Sequence, residues 1–280
     1  MGLRMAKLRF KQYDATVFYN CRVKEYPNGD IEILCCDKNI FNPSGLERAK
    51  DSVDAVTAGT DSETVQAREG ADNRAVRRAQ KQMQDYILCN DFTHFVTFTL
   101  DGAKIDRSNW AEIVRPLNKW LGNRVARNGL KYILVAEYHK KSNGIHFHGL
   151  VNDTLQFVDS GTVSVQGVKK PVKVATYNRK YKGLPCHTVY NVADWKYGFT
   201  TAICLYGDRM AVARYVGKYL EKDFAKIGGR YYMHSHNLDV PKVSYLNTDF
   251  SGFDGTPFNF NDVNIWWKIQ RITAEMEQKV

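Results

Sequence analysis

The chain has 280 residues, with 40 Lys and Arg against 30 Asp and Glu, which gives a formal net charge of +10. Hydrophobic residues make up 44% and charged residues 25%, a balance that excludes intrinsic disorder and collagen-like structure. The length suffices for one large domain or two small ones, and the positive charge indicates a polyanionic partner, either nucleic acid or an acidic membrane surface.

No stretch is long and apolar enough to span a bilayer, and the polar N-terminus lacks the apolar core of a signal peptide. The six cysteines are scattered without zinc-finger spacing, so we expect free, mostly buried thiols. These features predict a cytoplasmic protein that does not span a membrane, and the motifs below favour nucleic acid over a membrane as the partner.

The first third of the chain contains a predicted hairpin and a predicted helix. Residues 10–41 are typical of two strands around a tight turn at 27–30. Residues 50–70 are polar and predict a linker or mobile loop. A helix is expected to begin at Asp72 or Asn73, which can cap it. One face of this helix is basic and carries Arg74, Arg77, Arg78 and Lys81. This face either is simply exposed to solvent or contacts a DNA backbone.

The middle of the chain alternates strand and helix patterns. Strands are expected at 94–100, 131–138 and 144–151, the last two forming a hairpin. Residues 108–127 have apolar positions at helical spacing, with Asn109 and Glu112 fitting a capping box. Pro116 inside this pattern predicts a kink or a break between two helices.

The C-terminal half begins with exposed strands and basic loops over 155–190. The basic side chains there are Lys169, Lys170, Lys173, Arg179, Lys180 and Lys182. A strand follows at 197–206, then a helix at 209–227, and the C-terminus from Val263 predicts another helix with an aromatic face. The order of elements predicts an α+β fold, an antiparallel sheet with helices on one face.

His146 and His148 are separated by one residue in a predicted strand. Strand alternation places both imidazoles on one face, while Ile145 and Phe147 point into the core. Glu137 lies near the end of the preceding strand, and the hairpin would bring it alongside. Two imidazoles and a carboxylate suit Mn²⁺ or Mg²⁺, with Zn²⁺ less favoured. Two surface histidines on an ordinary strand are the alternative, and His139 is a rival third ligand or a supporting residue.

A second cluster lies in the predicted helix at 209–227. Tyr215, Lys218, Tyr219 and Lys222 are spaced i, i+3, i+4 and i+7, which places two phenols and two ammonium groups on one helix face. A phenol has a pKa of about 10, so a phenol nucleophile needs neighbouring cations. A tyrosine-rich amphipathic helix that packs its phenols is the alternative.

Taken together, these motifs resemble those of the HUH endonucleases, and specifically of rolling-circle replication initiators of bacteriophages and plasmids. The resemblance covers roughly residues 90–240. It rests on Phe95-Val-Thr-Phe-Thr-Leu100, on His146-Phe-His148 and on Tyr215-x-x-Lys218-Tyr219, in family order. The resemblance implies an RRM-like (ferredoxin-like) core, with the histidine strand in the middle of the sheet and the tyrosine helix packed across it.

The resemblance also implies the activity. Tyr215 would attack the scissile phosphate of single-stranded or hairpin origin DNA with help from the metal, form a 5′-phosphotyrosine bond and free a 3′-OH primer. Tyr219 would act at termination, when the strand is rejoined. The sequence has no phosphate-binding loop of the helicase type, so a host helicase and a host DNA polymerase are the expected partners, in the cytoplasm of a bacterial host.

Four segments are expected along the chain: an N-terminal hairpin element (1–45), a linker with a basic helix (46–90), the endonuclease domain (91–245) and a helical tail (246–280). The expected DNA contacts use charge and stacking. Besides the residues of the basic face and the basic loops, they include Lys222, Arg230 and Tyr231 or Tyr232. A two-tyrosine transposase or relaxase, and a non-enzymatic RRM-like binding module, are the competing interpretations.

Overall fold

The structure, a computed structural model, describes residues 18–41, 61–139, 144–222, 227–247, 249, 253–260 and 263–271. Within residues 61–74 and 217–222 the helical backbone alone is described. The predicted N-terminal residues 10–17 and the part of the predicted linker over 50–60 lie outside the described residues.

The described residues form four helices and thirteen strands. In chain order, they are β1 (Phe18–Glu25), β2 (Asp30–Phe41), α1 (Asp61–Cys89), β3 (His94–Leu100), α2 (Trp110–Asn128), β4 (Tyr132–Tyr138), β5 (Ile145–Val151), β6 (Phe157–Val165), β7 (Val172–Lys173), α3 (Val174–Lys180), β8 (Cys186–Val192), β9 (Gly198–Cys204), α4 (Arg209–Lys222), β10 (Met233–His234), β11 (Lys242–Leu246), β12 (Thr256–Phe260) and β13 (Val263–Arg271). None of the described helices is both long enough and apolar enough to cross a membrane.

The chain divides into two compact units, residues 61–239 and the two terminal segments 1–60 and 240–280. The described strands of the terminal unit form one antiparallel sheet in the order β11-β1-β2-β13-β12. The predicted first hairpin is present in it: Gly29, at a φ of 83°, donates its N–H to the carbonyl of Tyr26 at 3.0 Å. Cys21, Ile33 and Cys35 form its buried core. All six cysteines are free and four are buried, in agreement with the expected free thiols.

The predicted C-terminal helix is wrong over its described part, because residues 263–271 form the strand β13. This strand pairs with β2, with Ile265 opposite Cys36 and Trp267 opposite Leu34. The run is rich in β-branched and aromatic residues, which fit a pleated sheet, and β2 supplies the backbone partners that a sequence pattern does not reveal. Residues 272–280 lie outside the described part.

The larger unit confirms the predicted α+β class, with an eight-stranded antiparallel sheet in the order β10-β4-β5-β3-β9-β8-β6-β7. The expectation of helices on one face is wrong. Helix α2 packs on one face against a core that includes Phe98 and Phe147, whereas α1 and α4 pack on the other against Ile133, Val135 and Leu150. The reason is that β4 and β5 carry apolar residues on both faces near one end, so helices must shield both faces from solvent.

Helix α1 begins at Asp61, earlier than the predicted start at Asp72 or Asn73, so residues 61–70 are helical and not a linker. This segment is rich in residues with high helix propensity. Met83 and Ile87, later in the helix, pack in the core and stabilise it, and helix formation extends cooperatively from there toward the N-terminus.

Helix α2 runs through Pro116 without a break, so the alternative of two helices is wrong. Leu117 and Trp120 after the proline are buried in the same core as Ile113 before it, which holds the helix together. Asn109 caps the helix as predicted, accepting the N–H of Ala111 at 3.1 Å.

The segment 155–192, for which one or two strands were expected, forms the three strands β6, β7 and β8 together with the short helix α3, which was not predicted. The predicted helix at 209–227 is found as α4 over 209–222, and residues 223–226 lie outside the described part.

Candidate active site

The β4–β5 hairpin has the predicted register. Glu137 lies directly opposite His146, and His139 closes the hairpin by donating its N–H to the carbonyl of Gly144 at 2.8 Å. The strands approach each other closely at Gly149, where a Cβ would lie 1.8 Å from the carbonyl oxygen of Ile133. Glycine is therefore required at this position, directly after His148, for β5 to pair with β4.

Alternation along β5 separates the core from the site, as predicted. Ile145 and Phe147 are fully buried on the α2 side of the sheet. His146 and His148 are partly exposed on the opposite side, which we call the histidine face, and their ring centroids are 6.3 Å apart.

Two threonines of β3 hold the two imidazole rings. Thr97 Oγ1 lies 3.0 Å from His148 Nδ1, and Thr99 Oγ1 lies 3.0 Å from His146 Nδ1. Each hydrogen bond engages Nδ1 and directs the Nε2 atom away from β3, the orientation usual for a metal-binding histidine. These threonines were not predicted to take part in the site, although their i, i+2 spacing matches that of the histidines and could have revealed it.

The Nε2 atoms of the two histidines have different surroundings. His148 Nε2 lies 3.4 Å from Glu137 Oε2, while His146 Nε2 is buried without a hydrogen-bond partner. The ring of His139 lies 5.1 Å from that of His146. Among the described residues, no three His, Cys, Asp or Glu side chains already stand at metal-binding spacing. Glu137 thus lies beside the ring of His148, and the neighbouring His146 has one ring nitrogen without a hydrogen-bond partner.

Arg107, in the loop before α2, is a charged neighbour that the sequence analysis missed. Burial, then His139 and Arg107, lower the pKa of His146 from its ordinary value of 6.5, which favours the neutral imidazole. The Arg107 side chain lies between two glycines: a Cβ at Gly102 or at Gly144 would come within 3.1 or 3.2 Å of it. Its carbonyl accepts the N–H of Ile145 at 2.8 Å, which fixes the loop to the start of β5. A cation is therefore built into the edge of the site.

Tyr215 of α4 reaches the site through Phe95. The Phe95 ring lies 5.5 Å, edge to face, from Tyr215 and 6.3 Å, nearly parallel, from His148. The tyrosine is half exposed, so its phenol is accessible. Val216, the next residue, is buried and anchors the helix on the sheet. Lys218, Tyr219 and Lys222 follow in the same helix, and their side chains lie outside the described part of the chain.

The predicted DNA-contacting residues fall in separate places. Those of the basic loops are exposed in and around β7 and α3, at the far edge of the sheet from the histidines; they are Lys169, Lys170, Lys173, Arg179, Lys180 and Lys182. Arg77, Arg78 and Arg230 are also exposed, and the side chain of Arg74 is not described. Their contact with DNA stays a prediction.

Tyr231 and Tyr232 pack against the core under α1 and α4. The Tyr232 hydroxyl donates to Gln82 Oε1 at 3.0 Å, and burial, followed by Tyr86 and Asp85, raises the pKa of this phenol. Core packing explains the positions of both tyrosines. Base stacking by either of them stays a prediction.

Residues 93–224 match the family model described as replication-associated protein ORF2/G2P, a family of rolling-circle replication initiators. The matched region covers a little under half of the chain and includes β3, the β4–β5 hairpin and α4. It indicates a role in replication initiation, with DNA as the partner and endonuclease activity in general. No curated protein and no solved structure shows significant similarity to the chain.

Proposed function

We propose that this protein is a rolling-circle replication initiator that nicks single-stranded origin DNA with Tyr215. The observation that carries the proposal is the paired arrangement of His146 on Thr99 and His148 on Thr97, with Glu137 across the hairpin. Both imidazoles are held through Nδ1, the Nε2 atom of His148 lies beside the Glu137 carboxylate, and that of His146 has no hydrogen-bond partner; this arrangement suits a divalent-metal centre better than a packing role.

His146, His148 and Glu137 would hold the metal, with His139 as the alternative third ligand. The buried Nε2 of His146 without a partner fits this assignment, because a buried ring nitrogen normally finds one. The lowered pKa of His146 fits as well, since a metal ligand must be neutral. When bound, Mn²⁺ or Mg²⁺ would polarise the scissile phosphate.

The protein residues then carry out the strand transfer. The Tyr215 phenol loses its proton to solvent and its Oη attacks phosphorus; the phosphorus–O3′ bond breaks and O3′ takes up a proton from solvent, leaving a 5′-phosphotyrosine and a free 3′-OH. Lys218, one helical turn away, would stabilise the phenolate. Arg107 would contact a phosphate oxygen from the other side of the histidines, since its charge already acts on His146.

The sheet supports an RRM-like core in part. The central strands β4-β5-β3-β9 have the order of a ferredoxin-like sheet, with β5 carrying the histidines and α4 over the same face. The connection from β5 to β9 differs, since it holds β6, β7, α3 and β8 in place of a single helix. We therefore propose an RRM-like core with this excursion inserted.

In the full cycle, Tyr219 would cleave the regenerated origin and the freed 3′-OH would rejoin the strand. Unwinding and synthesis would come from a host helicase and polymerase in the cytoplasm of a bacterial host, where a phage or plasmid replicates. The tyrosines follow the histidine pair in the chain, which favours an initiator over a relaxase. A two-tyrosine transposase would use the same residues on a different DNA.

The test is covalent capture. The full chain is incubated with labelled single-stranded origin DNA from its own replicon and Mn²⁺, and adducts are resolved on denaturing gels. We expect an adduct that is lost in Tyr215→Phe with Tyr219→Phe, and lost in His146→Ala with DNA binding retained. Tyr206→Phe, an exposed tyrosine outside the helix, is the matched control. An adduct that survives the double variant would refute the assignment, and absence of any adduct with intact binding would favour the binding module.

A further inference from the structure

The histidine face continues past the histidines onto the neighbouring strands. Thr99 lies opposite His146 on one side and opposite Phe199 of β9 on the other. Glu137, His146, Thr99 and Phe199 therefore form one cross-strand row, which we call the histidine row. Neighbouring strands are about 4.8 Å apart, so Phe199 stands roughly 10 Å from His146 on the same face.

The Phe199 side chain is 70% exposed, although its neighbours along β9, Thr200 and Ala202, are buried. A single exposed apolar residue is ordinary on a protein surface. Phe199 is distinguished by its position: α1 and α4 pack on the face near Ile133 and Leu150, and the described side chains of these helices do not pack on this end of the sheet. Thr201, next on the same side of the strand, is exposed as well.

The position of Phe199 in the row is fixed by close packing of the backbone. A Cβ at Gly198 would lie 2.2 Å from the carbonyl oxygen of Thr99, so only glycine lets β9 begin this close to β3. Asp101 donates its N–H to the carbonyl of Tyr197 at 2.8 Å just beyond. The ring is therefore carried on a backbone whose register cannot shift.

We infer that Phe199 is a stacking platform for an unpaired DNA base close to the scissile phosphate. The inference rests on the proposed function, because that function places single-stranded DNA over the histidine row. An exposed ring stacks on any base face, and a cation beside it contacts the phosphate backbone. Arg107 supplies that cation at the same end of the sheet, where β3 ends and β5 begins. Phe199 thereby positions the strand and takes no part in bond making.

The test measures binding without chemistry. In a Tyr215→Phe background and without divalent metal, each chain is titrated with single-stranded origin DNA of its own replicon, in which one base at a time is replaced by 2-aminopurine, whose fluorescence falls on stacking. We expect Phe199→Ala to weaken binding roughly tenfold and to lose the quenching, since stacking on an aromatic ring contributes about 1–3 kcal/mol per base. Phe199→Trp should retain both. Phe258→Ala, an exposed phenylalanine of the other unit, is the matched control and should behave as the parent.

A second arm replaces single nucleotides by abasic sites along the oligonucleotide. The effect of Phe199→Ala should disappear at one position, where the base it stacks on is already missing. Equal quenching and affinity in Phe199→Ala and its parent would overturn the inference, and so would failure of the parent to bind the oligonucleotide. Failure of the nicking proposal is distinguishable: the unaltered chain would form no covalent adduct but would still bind the DNA and quench the 2-aminopurine fluorescence.

Discussion

Thr99 stands directly across from His146, and its hydroxyl oxygen lies 3.0 Å from the Nδ1 atom of that histidine. Thr97, two residues earlier in β3 and on the same face, makes the equivalent contact with Nδ1 of His148. The strand that the sequence marked as hydrophobic thus contributes a row of hydroxyl groups to the site. Partners of this kind set the ring orientation of a metal-ligating histidine and raise its basicity.

Replacing Thr99 by Val should weaken Mn²⁺ binding by about 10- to 100-fold, because the isosteric side chain cannot bond to Nδ1. Isothermal titration of the folded chain measures this. Thr99→Ser should retain most of the affinity, and Thr201→Val, exposed on the same face, should leave it unchanged. Unaltered Mn²⁺ affinity in Thr99→Val would show that the hydrogen bond does not orient a ligand.

Removing the charge of Arg107 should raise the pKa of His146. Arg107 is one of the causes that lower this pKa, and without the cation the imidazolium is destabilised less. NMR titration of the imidazole in Arg107→Gln checks the sign, with Arg115→Gln on the exposed side of α2 as the control. The same variant should form the covalent adduct more slowly. A lower pKa in Arg107→Gln would contradict the placement of this side chain.

Gly149→Ala should destabilise the fold severely, by about 4 kcal/mol or more, because its Cβ would overlap the backbone of Ile133. Urea unfolding gives the change in the free energy of unfolding. Gly122→Ala is the control: its Cβ meets nothing within 4 Å in the helix α2, so we expect a gain of roughly 0.5–1 kcal/mol. A mild effect of Gly149→Ala would mean that β4 and β5 can separate without loss of the fold.

His94 should make stability depend on pH. Burial lowers its pKa from the ordinary value of 6.5, an effect larger than the opposing charge of Asp153. As the pH falls below 6.5, His94 is protonated in the unfolded chain before it is protonated in the folded chain. The contribution of neutral His94 to the free energy of unfolding is therefore complete above pH 6.5 and is lost as the pH falls through the lower pKa of the folded state. The ring stacks on Phe157 with centroids 3.8 Å apart, and protonation would place a charge in that contact.

His94→Gln should therefore lose less stability between pH 7.5 and pH 5 than the unaltered chain. Urea unfolding at the two pH values measures the difference, and His187→Gln, an exposed histidine, serves as the control. An identical loss in His94→Gln would show that His94 titrates alike in the folded and unfolded chain.

The sequence predicted the parts of the site that depend on local geometry. Strand alternation placed His146 beside His148 and Phe147 in the core, and the hairpin placed Glu137 across from His146. Contacts made by residues distant in sequence were not predictable in the same way. Arg107 reaches the site through a loop whose path depends on Gly102 and Gly144. The i, i+2 spacing of Thr97 and Thr99 could have indicated a role for them, but their partners depend on the sheet order.

The fold was predicted to a similar depth. Most strands follow from short alternating patterns, but the wrong helix over Val263–Arg271 arose because aromatic and β-branched runs fit either period when their partner strand is unknown. The start of α1 was missed because residues 61–70 are mostly polar and resemble a linker, although Thr60 and Glu63 have the spacing of a capping box. Helices pack on both faces because β4 and β5 carry apolar residues on both faces, and the faces of the sheet are known only once the strands are assembled.

The pleat of β5 makes spacing as important as identity. Over residues 145–148 the side chains alternate between the buried core and the histidine face, so one residue inserted in this stretch would turn an imidazole inward and Phe147 outward at once. Such a change would damage stability and chemistry together, and no neighbouring substitution could repair both. Length variation among descendants of this gene is therefore expected in the excursion between β5 and β9, and not within the histidine strand.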